Sequence, residues 1–300
     1  MLQHLRTFIV VAEECHFTRA AVRLHIAQPA VSQQIRALER QVGQQLLERN
    51  ARSVRLTRAG QVFLPHARAA VHAADKGFAE VASSTGTLRG TLRVGLVESA
   101  GPTQAPRLLT EFLARHPGID LHISQDGSEQ MSDQVRVGEL DVAFIAFPDT
   151  RCPAGVAAHW LHPTEPLVVA VAADHPLANR GRLRLSDIID EPLIALRQGT
   201  GNRSVIERIY AEHGTHPRII CEAPNLAVAM SFVAENLGLC LAPRSTVATA
   251  APAVTAVELA EPVLQRHLAL IWRSPEAAGL LARAFVAFTE SEPRWSGTRV

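Results

Sequence analysis

Gln28, Ser32, Gln33, Arg36 and Arg40 follow one another at intervals of one, three or four residues, so a helix through them carries all five on one side, with Pro29 at its start. Their amide, hydroxyl and guanidinium groups are donor-rich, and no acid interrupts them before Glu39. Such side chains suit the acceptor-lined edges of bases in a duplex groove and the phosphates beside it. A solvated helix face has the same composition, so the elements that hold these residues must decide between the two.

Leu2, Leu5, Phe8, Ile9 and Ala12 recur at helical spacing and predict a first helix, with Gln3, Arg6, Glu13 and Glu14 on its polar face. Thr18 is the expected N-cap of a short second helix over 19–24. A turn at 25–28 leads to a third helix that begins near Pro29 and runs to about Val42, with Val31, Ile35, Leu38 and Val42 as its apolar stripe and Gly43 as its stop. Three short helices with a tight turn between the last two make a helix-turn-helix, whose final helix is shaped to enter the major groove. Two short strands around a polar turn at 50–53 then read as a wing, where Arg49, Arg52 and Arg55 stand at expected phosphate positions. Thr57 can cap a long helix over 58–82 whose larger apolar residues are Val62, Phe63, Val71, Phe78 and Val81. Charge follows the same division, since residues 1–60 hold nine arginines against four acids although the 300-residue chain nets only +1.

The run AAVRLHIAQPAVSQQIRALERQVGQQLLERNARSVRLTRAG, from Ala20 to Gly60, resembles without a gap the N-terminal signature of LysR-type transcriptional regulators. Ala27 departs from it, because members often place there a serine able to cap the recognition helix. The resemblance implies a winged helix-turn-helix over 1–58, a linker helix and hinge over 59–87 that pairs two subunits, and an effector domain over 88–300. It implies double-stranded DNA, a small-molecule effector and a homodimer or homotetramer as partners, and leaves room for RNA polymerase. By the same resemblance, the effector domain is a two-lobed α/β body like a periplasmic binding protein, with lobe one at 91–162 and 266–300 and lobe two at 163–265.

The residues beyond the hinge agree on class. Strand patterns at 92–97, 119–124 and 140–145 alternate with helices at 103–115 and 131–137; a second set places strands at 167–173, 193–196, 219–222 and 239–242 around helices at 203–213 and 226–236, before a strand at 267–272 and a helix at 277–290. Alternation of this kind predicts a mostly parallel sheet. Ligands of such sheets bind outside the carboxyl ends of the strands, against helix N-termini, which selects Ser99, Ser128, Phe147 and Thr200. Ser99, Ser128 and Thr200 also fall where the resemblance implies effector contacts, although each hydroxyl equally suits a helix cap. Arg203 suits either a ligand carboxylate or a salt bridge. An anionic or oxygen-rich effector is the expectation.

Other classes fit less well. Lys76 is the only lysine, which removes P-loop and Schiff-base chemistry elsewhere in the chain, and no G-x-S-x-G, H-E-x-x-H or G-x-G-x-x-G occurs. No catalytic residue, metal or cofactor is expected. Arg6, Glu13 and Glu14 break the apolar start, so it does not read as a signal peptide, and no run of about 18 apolar residues occurs to cross a membrane. A cytoplasmic protein is expected, which disfavours an exported solute-binding protein. A redox-sensing regulator using Cys221 and Cys240 is the nearer alternative, set against strand contexts in which thiols act as small hydrophobes.

Overall fold

The computed structural model describes residues 1–50, 53–82, 88–100, 105–147, 151–250, 252–261, 263–274 and 278–292. The chain divides into two compact units, residues 1–86 with 137–139, and residues 87–136 with 140–300.

In the first unit α1 (Leu2–Glu14), α2 (Phe17–Leu24) and α3 (Gln28–Val42) close around Phe8, Val11, Ala20, Val31, Ile35 and Leu38. Helix α2 begins earlier than Thr18 predicts. Its cap is His16, whose Nδ1 accepts the Thr18 amide at 3.1 Å, so an imidazole does the work expected of the hydroxyl. Helix α3 starts from Ala27 with no side-chain cap, and Pro29 in its first turn removes one of the donors that would need one. It ends at Gly43, whose φ of +74° suits glycine.

Strands β1 (Leu47–Asn50) and β2 (Ser53–Leu56) pair antiparallel, and Thr57 Oγ1 accepts the Gly60 amide at 2.9 Å to cap α4 (Arg58–Ala82). One face of α4 belongs to the core of its own unit: Ala67 is buried, Val71 is half-buried, and the Phe63 ring lies 5.8 Å from that of Phe8. The exposed apolar side chains of this helix are therefore Val62, Phe78 and Val81, not Phe63 or Val71.

The second unit begins with β3 (Gly90–Leu96), α5 (Ala105–Arg115), β4 (Ile119–Ser124), α6 (Ser128–Val137) and β5 (Val142–Phe147). Strand β6 (Val156–Ala172) is 17 residues long and is followed by β7 (Arg182–Arg184), β8 (Leu193–Leu196), α7 (Gly201–Glu212), β9 (Ile219–Ala223) and α8 (Leu226–Ala234). Then come β10 (Cys240–Pro243), α9 (Arg244–Thr249), β11 (Val254–Glu261), β12 (Gln265–Arg273) and α10 (Leu280–Ser291). The first lobe has strand order β4-β3-β5-β12-β6, and β6 runs on into the second lobe, where it pairs with β10 and β11. Strands β8 and β9 extend that sheet beyond β10 through a bridge between Leu193 and Leu239.

Pairing is mixed, not mostly parallel: β3 is parallel to β4 and β5, but β12 comes back from lobe two and inserts antiparallel between β5 and β6. Strand β6 buries both faces in lobe two. Leu167, Val169 and Val171 meet α7 residues Val205, Ile206 and Ile209, while Val168 and Ala170 meet α8 residues Ala229 and Val233. Among the described residues no helix is long and apolar enough to cross a membrane.

The core of lobe one centres on Phe112, fully buried, with Phe285 and Phe288 at centroid separations of 5.1 and 5.5 Å. Phe112→Ala should lower the unfolding free energy of this unit by about 3–5 kcal/mol, the usual cost of emptying a buried aromatic site. Urea denaturation followed by tryptophan fluorescence, which reports Trp160 and Trp272 of the same core, measures it.

Candidate functional site

Helix α3 presents Gln28, Pro29, Gln33, Arg36 and Arg40 to solvent. Ser32 is different: it is buried, its hydroxyl accepts from Gln28 Nε2 at 3.0 Å, and its carbonyl accepts from Arg36 Nε at 3.3 Å. It braces its neighbours on the helix. An open groove continues this face from Pro29, Gln33, Arg36 and Arg40 to Gln44 and Gln45, two amides the sequence reading missed because they follow the helix stop. Arg55 is exposed on β2 opposite Glu48 of β1. Arg52 and the Arg49 side chain lie outside the described residues, as does the start of the expected hinge at 86–87.

The second concave site lies between the lobes. The carboxyl ends of β3, β4 and β5 from lobe one and of β8 and β9 from lobe two converge on a cavity of about 270 Å³, lined among others by Ser99, Asp126, Ser128 and Ala146 on one side and Arg197, Thr200, Gly201 and Asn202 on the other. Helices α6, α7 and α8 all begin at its wall. Two backbone approaches hold the walls close: a Cβ on Gly127 would stand 2.7 Å from the Gly199 carbonyl oxygen, and one on Gly201 would stand 2.4 Å from that of Ala146. Only glycine admits such contacts between the lobes.

Ser99, Ser128 and Thr200 thus share one cavity, and each hydroxyl already has structural work. Thr200 Oγ1 accepts the Arg203 amide at 3.3 Å, capping α7, and donates to the Arg197 carbonyl at 2.9 Å. Ser128 Oγ accepts the Ala146 amide at 3.2 Å. Phe147 and Arg203 do not line the cavity. The Phe147 ring packs edge-on against Trp160 at 5.3 Å, and the buried Arg203 guanidinium binds Glu207 at 2.7 Å and the Leu196 carbonyl at 3.1 Å.

Charged groups that the sequence reading passed over stand closer to the cavity. Glu98, one residue before Ser99, reaches across to lobe two, where both carboxylate oxygens accept the Leu226 amide at 2.9 Å. Asp126 and Arg197 line the same space. Behind the 98–100 turn, Arg266 on β12 donates to the hydroxyl and carbonyl of Ser99 and to Glu165 on β6, with Nε 2.9 Å from the carboxylate. Glu165 also accepts the Ser245 amide of α9 at 2.9 Å. Burial pushes the Glu165 carboxyl up, but the Arg266 charge and the bonds from Ser245 and Arg266 outweigh it and leave it below the usual range. Burial draws Arg266 down, with Glu165 opposing. Among the described residues no cluster of histidine, cysteine or acidic side chains could hold a metal ion.

Residues 2–61 match the family model described as a bacterial regulatory helix-turn-helix protein of the lysR family, and residues 85–293 match the LysR substrate binding domain. The chain belongs to the LysR family of DNA-binding transcription regulators. A probable hydrogen peroxide-inducible genes activator of Mycobacterium avium is 36% identical over 90% of this chain and 87% of its own. A cysteine variant of full-length OxyR from Pseudomonas aeruginosa superposes with a TM-score of 0.68 at 27% identity, covering 100% and 97% of the two chains. Full-length CbnR in complex with its target DNA gives a TM-score of 0.70 at 25% identity, covering 96% and 98%. In the regulator, then, the helix-turn-helix is the DNA-binding module and the two-lobed unit is the effector-binding domain.

Glu165→Gln leaves the Arg266 charge buried without its counterion, and breaking such a pair costs about 3–5 kcal/mol. Because the folded-state carboxyl is depressed, its contribution is fully present above the ordinary value of 4.5 and is lost as pH falls through the folded value. Urea titrations should show the variant less stable at neutral pH and the gap between the proteins closing below pH 4.5.

Proposed function

We propose that this regulator senses a small molecule held between its lobes and reads DNA through the exposed face of α3 and the wing. The observation that carries the effector half is the convergence of strand ends and helix N-termini from both lobes on one cavity, the arrangement by which open α/β sheets take polar ligands. An oxygen-rich or anionic group fits the α7 end, where Arg197 and the first two residues of that helix, Gly201 and Asn202, line the wall. Catalysis has no part in this reading, and a regulator of this kind works in the cytoplasm on promoter DNA.

Peroxide-inducible relatives raise a redox reading, and the thiols here argue against it. Cys221 of β9 pairs with Ile194 of β8, and β8 lies between β9 and the β10 strand that carries Cys240. Two strand spacings put their backbones about 9.5 Å apart, beyond the roughly 7 Å a disulfide spans. Cys240 is fully buried and its thiol is pushed up to about 12, which keeps it protonated and inert. In a promoter-reporter strain, Cys221→Ser with Cys240→Ser should keep the response, and Arg197→Ala with Thr200→Ala should lose it. The opposite outcome, with an oxidant as inducer, establishes the redox switch.

In this reading Arg36 and Gln33 meet base edges and Arg55 a phosphate, which their exposure on α3 and β2 supports. Arg36→Ala should cost about 1–3 kcal/mol of discrimination between a selected operator and an unrelated duplex, while Arg55→Ala weakens both alike and reduces the salt slope by about 1. Fluorescence anisotropy across a salt series separates the two.

Pairing of subunits through α4 rests on its exposed face, where Val62, Ala70, Ala73, Gly77, Phe78 and Val81 offer small residues flanked by larger apolar ones. A Cβ on Gly77 meets nothing within 4 Å in its own chain. Gly77→Arg should therefore fold and yet lower the mass seen by light scattering to that of a monomer.

A further inference from the structure

The charged groups around the cavity say more about the ligand than the hydroxyls do. Its charged lining residues are Glu98 and Asp126 from lobe one and Arg197 from lobe two. Helix α8 would ordinarily offer an anion its N-terminus, but the chain fills that position itself: Asn225 accepts the Val228 amide at 2.8 Å, and Glu98 takes the Leu226 amide from across the cleft. An effector carboxylate arriving there meets a carboxylate. The two Glu98 oxygens share one N–H, and Asp126 Oδ1 accepts the Gly127 amide at 2.9 Å. A carboxylate has about four lone-pair sites, so both acids keep acceptor capacity for a donor in the cavity.

The opposite wall has the opposite character. The Thr200 hydroxyl takes the Arg203 amide and its carbonyl the Ser204 amide, while Gly201 and Asn202, the first residues of α7, line the cavity beside Arg197. Among the described residues the Arg197 guanidinium pairs with no carboxylate, although five other arginines of lobe two, Arg180, Arg182, Arg203, Arg208 and Arg244, do. The volume of about 270 Å³ lies just below the usual span of ligand pockets, about 300 to 1,000 Å³. A compact molecule is called for.

We propose that the effector is a small zwitterion of the amino-acid class, its ammonium end against Glu98 and Asp126 and its carboxylate end against Arg197 and the opening amides of α7. The assignment rests on the effector reading of this cavity given above. It makes Glu98 a specificity-determining residue. Its negative charge excludes ligands that are anionic at both ends, while its hold on Leu226 keeps the second helix N-terminus closed to them.

The test is thermal shift and isothermal calorimetry on the full chain with three panels: the common amino acids with free termini, the same compounds N-acetylated or amidated, and dicarboxylates of similar size. At least one free amino acid should raise the melting temperature, and blocking either end should weaken binding by roughly tenfold or more, the scale of a lost charge-assisted hydrogen bond. Glu98→Gln keeps an acceptor for Leu226, and with it the contact between lobes, yet should weaken that amino acid about tenfold while leaving its N-acetyl form unchanged or tighter. Arg197→Gln should erase the preference for acid over amide. The proposal is overturned if dicarboxylates or N-acetyl compounds bind as tightly as free amino acids, if Glu98→Gln changes nothing, or if no amino acid binds. Dicarboxylate binding that Arg197→Ala abolishes would sink the zwitterion and leave the effector reading standing, whereas an oxidant response that survives Arg197→Ala with Thr200→Ala removes both.

Discussion

One strand belongs to two sheets, and the cleft exists because of it. Residues 156–161 of β6 pair with β12 in lobe one, and residues 167–172 of the same strand pair with β10 and β11 in lobe two. Near the change of sheet lie Glu165 on β6 and its partner Arg266 on β12, at the point where the pairing register slips. Arg266 is almost fully buried, so its charge must be matched locally, and the groups that match it come from both lobes: Ser99 from lobe one and Glu165, itself held by Ser245 of α9. A buried pair of this sort is seldom a source of stability over an apolar substitute. What it does here is fix where the 98–100 turn stands relative to α9, and hence the position of one wall of the cleft.

The remaining walls follow from sheet topology. With β3, β4 and β5 pointing their carboxyl ends toward β8 and β9 across the crossover, the loops that leave those strands have nowhere to go but the shared space. The glycines at 127 and 201 let the facing loops approach to backbone contact distance. The cavity is narrow for that reason, and its acidic and basic groups line opposite walls, Glu98 and Asp126 half-buried and Arg197 exposed.

The sequence was most legible where the signal is local. Periodicity and caps locate α1, α3 and α4; β4 and β8 fall at their expected limits, and the strand-end rule brings Ser99, Ser128 and Thr200 into one cavity. What it could not show depends on partners distant in the chain. Phe63 and Val71 look like an exposed stripe until α1 is placed against them, and Ser32 looks like a groove contact until Gln28 turns back onto it. The antiparallel insertion of β12 is invisible because it is a return from another lobe, and residues 156–166 do not read as strand because two prolines and a run of small residues accompany the change of sheet. Strand β7, helix α9 and strand β11 do not read from the sequence either: the first is three residues long, and the other two fall in the alanine-rich stretch at 247–260, where alanine dilutes any period. Glu98, Asp126 and Arg197 carried a faint signal, since all three stand within a few residues of a strand end, but exposed charges at strand ends are ordinary and only the cavity makes them notable.

Sensing requires more than occupancy, because a ligand that binds two lobe arrangements equally shifts neither. The contacts that separate the arrangements are those spanning the cleft: Glu98 with the Leu226 amide, and the close approaches of Gly127 to Gly199 and of Gly201 to Ala146. All are lost together if the lobes part. A ligand held by Glu98 and Asp126 on one side and by Arg197 and the α7 amides on the other makes its full set of bonds only while they persist. Hydrogen bonds to charged groups contribute about 1.5–3 kcal/mol each, and turning a 1:99 population into its inverse takes about 5.5 kcal/mol. About two to four such bonds made in one arrangement alone supply a shift of that size, and a ligand gripping a single lobe, however tightly, does not.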